Sequence, residues 1–418
     1  MSPSLSLSRT SRTFRAFIHK IRSPKEPISS RLCNLPLELL LEISASLDSP
    51  ALCSFRLTCK SLYDCTLPQF CKIYLEIVKT DLSLASLQRL NMLSQDPRLC
   101  SHVCSLYING MDEDILGSGL KWERHASGLI VTPQESIQQW QDTLLRLVNC
   151  QSFRLYKHFT PERPSPPNIL TPCDTITILL SIITAIERPL REFSILFKPP
   201  NCGGRNLINM SRVDKGLLQE AKFITTCSSL ESLTFRYTMD TEDTVGFVTQ
   251  LIQHATRLQQ LRIDADYGDY STTLMSHLYS TQLTPRLREL TLETTHVGSS
   301  HAFNKFLASF KQSLAKISFA AIHLDSGEWA SVLRALSKFP SLTEISTYVL
   351  SQAGFQRVHF PAVLQDPIVD PVLGTKFLYT VKKFRRGQRT LMVAYSGRSM
   401  DIALQKLADF VTPYKVTG

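Results

Sequence analysis

The chain has 418 residues, 43% of them hydrophobic and 20% charged, a composition that excludes wholesale disorder and a length that allows a substantial core. Its formal charge is +10, but residues 1 to 31 hold seven Lys or Arg against the single acid Glu26, so that segment supplies +6 of it. The remainder is only mildly basic, which argues against nucleic-acid binding, since that needs Lys and Arg gathered on one face.

In residues 5 to 25, Arg9, Arg12, Arg15, Lys20 and Arg22 alternate with Phe14, Phe17, Ile18 and Ile21 in a Ser-rich, acid-free stretch. A mitochondrial presequence reads this way, and so does a disordered basic tail ahead of a first domain. Residues 1–31 are taken as the tail, which makes the cytoplasm or nucleus the expected compartment and the mitochondrion the alternative. No apolar stretch approaches the roughly 20 residues a membrane span needs, so no membrane partner is expected. The eleven cysteines all lie at or before Cys227, with no secretory signal, and read as reduced thiols. Cys100 and Cys104 flank His102, but no second Cys or His pair follows at ligand spacing; they read as small hydrophobes, and no metal is expected.

From Leu35 the apolar residues fall at Leu35, Leu39, Ile43 and Leu47, with Leu40 beside them, one stripe along a helix. Ser49 as N-cap and Pro50 in the first turn predict a second helix with the stripe Leu52, Phe55, Cys59 and Leu62. After Pro68, Phe70, Ile73, Tyr74 and Ile77 share a third helical face. Three helices this short bury little among themselves, so part of their apolar surface is expected to meet a partner.

The text Leu35-Pro36-Leu37-Glu38-Leu39, then Arg56-Leu57-Thr58-Cys59-Lys60-Ser61-Leu62-Tyr63, resembles the F-box over about 40 residues. Leu62 stands where many members carry Trp, and the run from Thr66 to Arg98 resembles the extension that follows the F-box in many fungal proteins. The resemblance implies docking on a Skp-family adaptor and, through it, on a cullin. The contacts it implies are Leu35, Pro36, Leu39, Ile43, Leu52, Phe55 and Leu62. The other reading of these residues is the core of a helical N-terminal domain.

Further on, L-x-x-L-x-L recurs as Leu230, Leu233, Phe235; Leu258, Leu261, Ile263; Leu287, Leu290, Leu292; Leu314, Ile317, Phe319; and Leu342, Ile345, Thr347, in steps of 28, 29, 27 and 28 residues. Val103, Leu106, Ile108; Cys150, Phe153, Leu155; and Leu190, Phe193, Ile195 fit the same template at steps of 47, 40 and 40. Pro-rich Thr160 to Cys173 and Gly-Gly-containing Lys198 to Met210 read as loop insertions that account for the excess. Helical stripes lie between: Val245, Val248, Ile252; Phe303, Phe306, Leu307, Phe310; and Trp329, Val332, Leu333, Leu336. The repeats resemble leucine-rich repeats, in degenerate form, for the position usually held by Asn or Cys carries Thr238, Asp266, Thr295 or Ile322. An open α/β sheet also alternates strand and helix.

The expected fold is therefore α/β: a three-helix F-box at 32–80, a helical extension and leucine-rich-repeat-like solenoid at 81–354, and an irregular linker with a last strand and helix at 355–418. On the concave face of such a solenoid, alternation brings out Arg236, Arg262, Asp264, Glu289, Glu293 and Lys316, the candidate contacts to a client protein. Parallel register would put Arg236 beside Asp264 and Glu289 beside Lys316, a self-neutralised surface. Lys382, Lys383, Arg385, Arg386 and Arg389 read as a solvated strand edge, with a nuclear signal as the other reading. No phosphate-binding loop, nucleophile elbow or zinc-protease motif occurs, and the ten histidines pair with no carboxylate at a recognised spacing. The function expected is a substrate-recognition adaptor of an SCF-type ubiquitin ligase, with no enzymatic activity and no cofactor. The alternative is a repeat scaffold acting outside the ligase, mitochondrial or nucleic-acid-associated.

Overall fold

The stripe beginning at Leu35 becomes helix α1 (Leu37–Ser46) in the computed structural model, which describes residues 32, 35–110, 116–158, 169–198, 210–265, 270–281, 286–364, 368–369, 376–377, 380–383 and 390–414. Helix α2 (Ser49–Arg56) is capped one residue earlier than expected: the Asp48 carboxylate, not Ser49, accepts from the backbone N–H of Ala51 at 2.8 Å. The second helix does not run on to Leu62. Thr58 Oγ1 donates to the Phe55 carbonyl at 2.8 Å and Cys59 turns extended, so α3 (Lys60–Cys65) and α4 (Leu67–Tyr74) follow as separate elements. Among the described residues the segment thus has four α-helices where three were expected. Ile77, expected on the last helical face, opens strand β1 (Ile77–Thr80) instead. The chain divides into two compact units after Ile73, ahead of the boundary expected at 80.

In the second unit β1 is followed by α5 (Leu84–Gln95), β2 (Ser105–Gly110), α6 (Glu135–Arg146), β3 (Ser152–His158), α7 (Pro172–Ile186), β4 (Glu192–Lys198), α8 (Gly216–Gln219) and α9 (Ala221–Cys227). Then come β5 (Ser232–Arg236), α10 (Glu242–His254), β6 (Gln260–Asp264), α11 (Ser271–Ser280), β7 (Glu289–Glu293), α12 (Ser300–Ala308), β8 (Lys316–Ala320), α13 (Trp329–Leu336) and β9 (Glu344–Tyr348). Strands β1 to β9 are all parallel and lie in strict sequence order. Among these nine parallel strands the order never reverses, so they lack the switch point of a doubly wound fold.

The periodic leucines explain this order. Leu106, Phe153, Phe193, Leu233, Leu261, Leu290, Ile317 and Ile345 occupy one register row across eight strands, and every one is buried. Each row meets a single helical layer in which α6 packs on α5 and α7, and α12 on α11 and α13. Phe303 of α12 and Trp329 of α13 are fully buried with ring centroids 6.4 Å apart, and Phe319 of β8 lies 5.4 Å from each. Such aromatic contacts add to the burial that holds neighbouring turns together.

The last segment contains the strand and helix expected there, together with further strands. After β10 (Ser351–Gln352), β11 (Gln356–His359), β12 (Ile368–Val369) and β13 (Lys376–Phe377), strands β14 (Thr380–Lys383) and β15 (Thr390–Ser396) join the large sheet. β15 pairs antiparallel with β9, and β14 antiparallel with β15. Helix α14 (Met400–Asp409) packs on α13, and β16 (Thr412–Tyr414) joins β10 and β11 in a small sheet. Lys382 and Lys383 lie on the terminal strand of the large sheet. Residues 1–31, residues 159–168 and 199–209 of the two insertions, Asp266, Arg385, Arg386 and Arg389 lie outside the described residues.

Candidate functional site

The N-terminal unit is organised around a buried cation. Arg56 donates through Nη1 to the Tyr63 carbonyl and to Thr66 Oγ1, both at 3.1 Å, and its guanidinium lies 4.3 Å from the Tyr63 ring and 4.1 Å from the Phe70 ring. Among the described residues no carboxylate pairs with it, and hydrogen bonds and two aromatic faces meet the cost of burying the charge. Leu40, Leu52, Leu62 and Cys71 fill the rest of this small core.

The expected adaptor contacts divide into two groups. Pro36 and Leu39 are exposed, and Leu35, Ile43 and Phe55 are half-buried, so these five are open to a partner. Leu52 and Leu62 are 0% and 1% exposed and are core, which corrects their assignment as contacts. Leu37, Leu41, Leu57 and Ile73 are also exposed and were not among the expected contacts. The run Leu39-Leu40-Leu41 carried the signal, since three consecutive leucines at 100° per residue cannot all face inward.

Residues 32–72 match the family model of the F-box domain. The chain carries an F-box. No curated protein matches the chain. The F-box is the module through which substrate adaptors of SCF-type ubiquitin ligases are held on a Skp-family protein and thereby on a cullin. Among the described residues, no helix is long and apolar enough to cross a membrane.

In the second unit, the sheet face opposite the helices carries the expected client contacts. Arg236 Nε lies 2.9 Å from Asp264 Oδ2, Arg262 Nη2 lies 2.6 Å from Glu293 Oε1, and Lys316 Nζ lies between Glu289 and Glu344 at 3.7 and 3.6 Å. Asp264 is buried and also accepts from Thr294 Oγ1, so it is an internal partner and not a surface contact. Toward the other end of the sheet, Tyr107 and Tyr156 stack with centroids 5.8 Å apart, and Lys79 Nζ stands 6.0 Å over Tyr107. Beside them Arg154 holds Glu192 at 2.8 Å, and that bond raises the guanidinium pKa. Burial and the neighbouring Tyr156 push the Tyr107 hydroxyl up. This aromatic group was missed, although Tyr107 stands between the template residues Leu106 and Ile108 and Tyr156 follows Leu155.

Burial pushes the thiols of Cys150 and Cys227 up to about 12, which keeps them protonated and unreactive at neutral pH. Cys104 Sγ donates to the His102 carbonyl at 3.6 Å, and Cys100 Sγ to that of Pro97 at 3.8 Å. Three further ligand-type side chains come together in the second unit. His296, His323 and Asp325, on consecutive turns after β7 and β8, place one ligand atom each within 4.8 Å of the others. Burial first, then His296, holds His323 below the usual imidazole range, with Asp325 acting the other way.

Proposed function

We propose that this chain is the substrate-recognition adaptor of an SCF-type ubiquitin ligase, a positioning subunit without chemistry of its own that works in the cytoplasm or nucleus. The observation that carries the reading is the F-box match at residues 32–72, together with the exposed leucines of α1. Pro36, Leu37, Leu39 and Leu41 crowd one short helix whose buried side is already satisfied by Leu40 and Ser44. A helix this apolar on its solvent side is stable in water only at a cost that an apolar partner groove removes.

The second unit is read as a degenerate leucine-rich-repeat-like solenoid, supported by the eight-strand register row and the unbroken strand order. Its open sheet face is the client surface. Within that face, the Lys79, Tyr107 and Tyr156 group is the better anchor, because aromatic side chains dominate interface energies and surface ion pairs contribute little. Holding client and ubiquitin donor on one assembly raises their effective concentration, and that is the whole of the rate gain. The experiment is co-purification of the full chain with a Skp-family adaptor and cullin. Retention of both supports the reading, and a folded chain that retains neither overturns it.

A further inference from the structure

We propose that His296, His323 and Asp325 form a binding site for one divalent transition-metal ion of the zinc class, independent of the F-box and of client binding. Asp325 Oδ1 lies 3.3 Å from His296 Nδ1 and 3.7 Å from His323 Nε2. Tetrahedral zinc with N and O ligands at 2.0–2.2 Å sets its ligands about 3.4 Å apart, so these two separations already fit an ion held between the three groups. Two borderline imidazoles and one carboxylate are a donor set that zinc accepts, and three protein ligands leave a position open to water.

The backbone fixes the arrangement. Thr294 and Ala321 follow β7 and β8 at equivalent positions and share a left-handed conformation, with φ of +46° and +54°. Two residues later His296 and His323 pair as a parallel bridge, and His323 pairs in the same way with Ser351. The repeat period therefore brings the two rings together edge to face, with centroids 5.0 Å apart. Phe355, itself at φ +55°, lies flat on the other side of the His323 ring at 4.6 Å. This aromatic face restricts ring rotation and excludes water from one side of the imidazole.

The outer contact occupies one ring nitrogen. Ser351 Oγ lies 3.0 Å from His323 Nδ1, which leaves Nε2 as the nitrogen that faces Asp325. The Nδ1 contact to Ser351 is the kind of outer bond that fixes the tautomer of a metal-ligating histidine.

The test uses the full chain stripped with chelator and titrated with Zn²⁺, and with Co²⁺ as a spectroscopic probe because the many cysteines also bind zinc. One equivalent is expected, with a Co²⁺ spectrum free of thiolate charge transfer. His296→Ala and Asp325→Asn, both partly exposed, should each weaken it at least tenfold, and Cys100→Ser with Cys104→Ser should leave it unchanged. Zn²⁺ should raise the melting temperature of the wild type and not of the two ligand variants. Absence of binding, a thiolate band in the one-equivalent Co²⁺ complex, or unchanged affinity in folded His296→Ala and Asp325→Asn would each overturn the proposal.

Discussion

Replacing Leu37 and Leu39 together by Ala separates the partner face of the F-box from its core. The two side chains are 53% and 45% exposed, so about half of their apolar surface has yet to leave water. Full burial of a leucine is worth about 1.5–3 kcal/mol, so each contributes roughly half of that on docking. The pair then accounts for about 1.5–3 kcal/mol, a loss of roughly ten- to hundredfold in adaptor affinity. Leu52, with no exposed surface, is the opposite case. Its truncation to Ala leaves a cavity in a small core and should cost about 2–5 kcal/mol of stability. The assay is titration of a purified Skp-family adaptor, with thermal melting of the same preparations. The double variant should bind weakly and melt normally, and Leu52→Ala should melt early. If Leu37→Ala/Leu39→Ala binds as tightly as wild type, the exposed leucines are not the docking surface.

Asp264→Ala strips Arg236 and Thr294 of a buried acceptor and should lower stability by about 1–3 kcal/mol in denaturant titration, whereas Lys316→Ala, on the solvent side, should change it by less than about 0.5 kcal/mol. Arg56→Lys keeps the charge but loses the planar fork that spans two rings, and limited proteolysis should find the N-terminal unit cut faster than in wild type. Burial holds His254 and His323 below the usual imidazole range, so the unfolded chain takes up these protons first as pH falls through about 6.5. Stability contributed by the neutral rings is therefore present above that pH and declines below it. His323→Gln, measured with chelator present, should flatten the fall in melting temperature between about pH 7 and pH 5, and an unchanged slope would refute the assignment.

The sheet was legible because one physical constraint repeats: each strand must bury two alternate side chains, and the spacing of Leu233, Leu261, Leu290, Ile317 and Ile345 records that eight times with the earlier rows. Strand β1 escaped because only Val78 and Thr80 of its four residues turn inward, too few to show a period. The direction of β15 escaped because alternation is the same in parallel and antiparallel strands, and only the partner decides. Within the F-box, a four-residue stripe could not tell Leu52, which faces the core, from Leu39, which faces out, since both lie on apolar helices with apolar neighbours. The histidine group escaped for another reason. His296 and His323 are 27 residues apart, one repeat, so their proximity follows from the period and not from any local motif.

The reversal at β15 closes one side of the large sheet. A parallel ladder that adds one strand per repeat ends in an open row of N–H and C=O groups, and such a row is a template on which a second chain can continue the same register. β15 occupies that row on β9 with the opposite polarity, and β14, bearing Lys382 and Lys383, is the strand that remains at the margin. A further parallel strand would meet the wrong hydrogen-bond spacing and two lysines. The turn in direction thus works as a stop codon written in geometry at this margin of the sheet, while β1 forms the other.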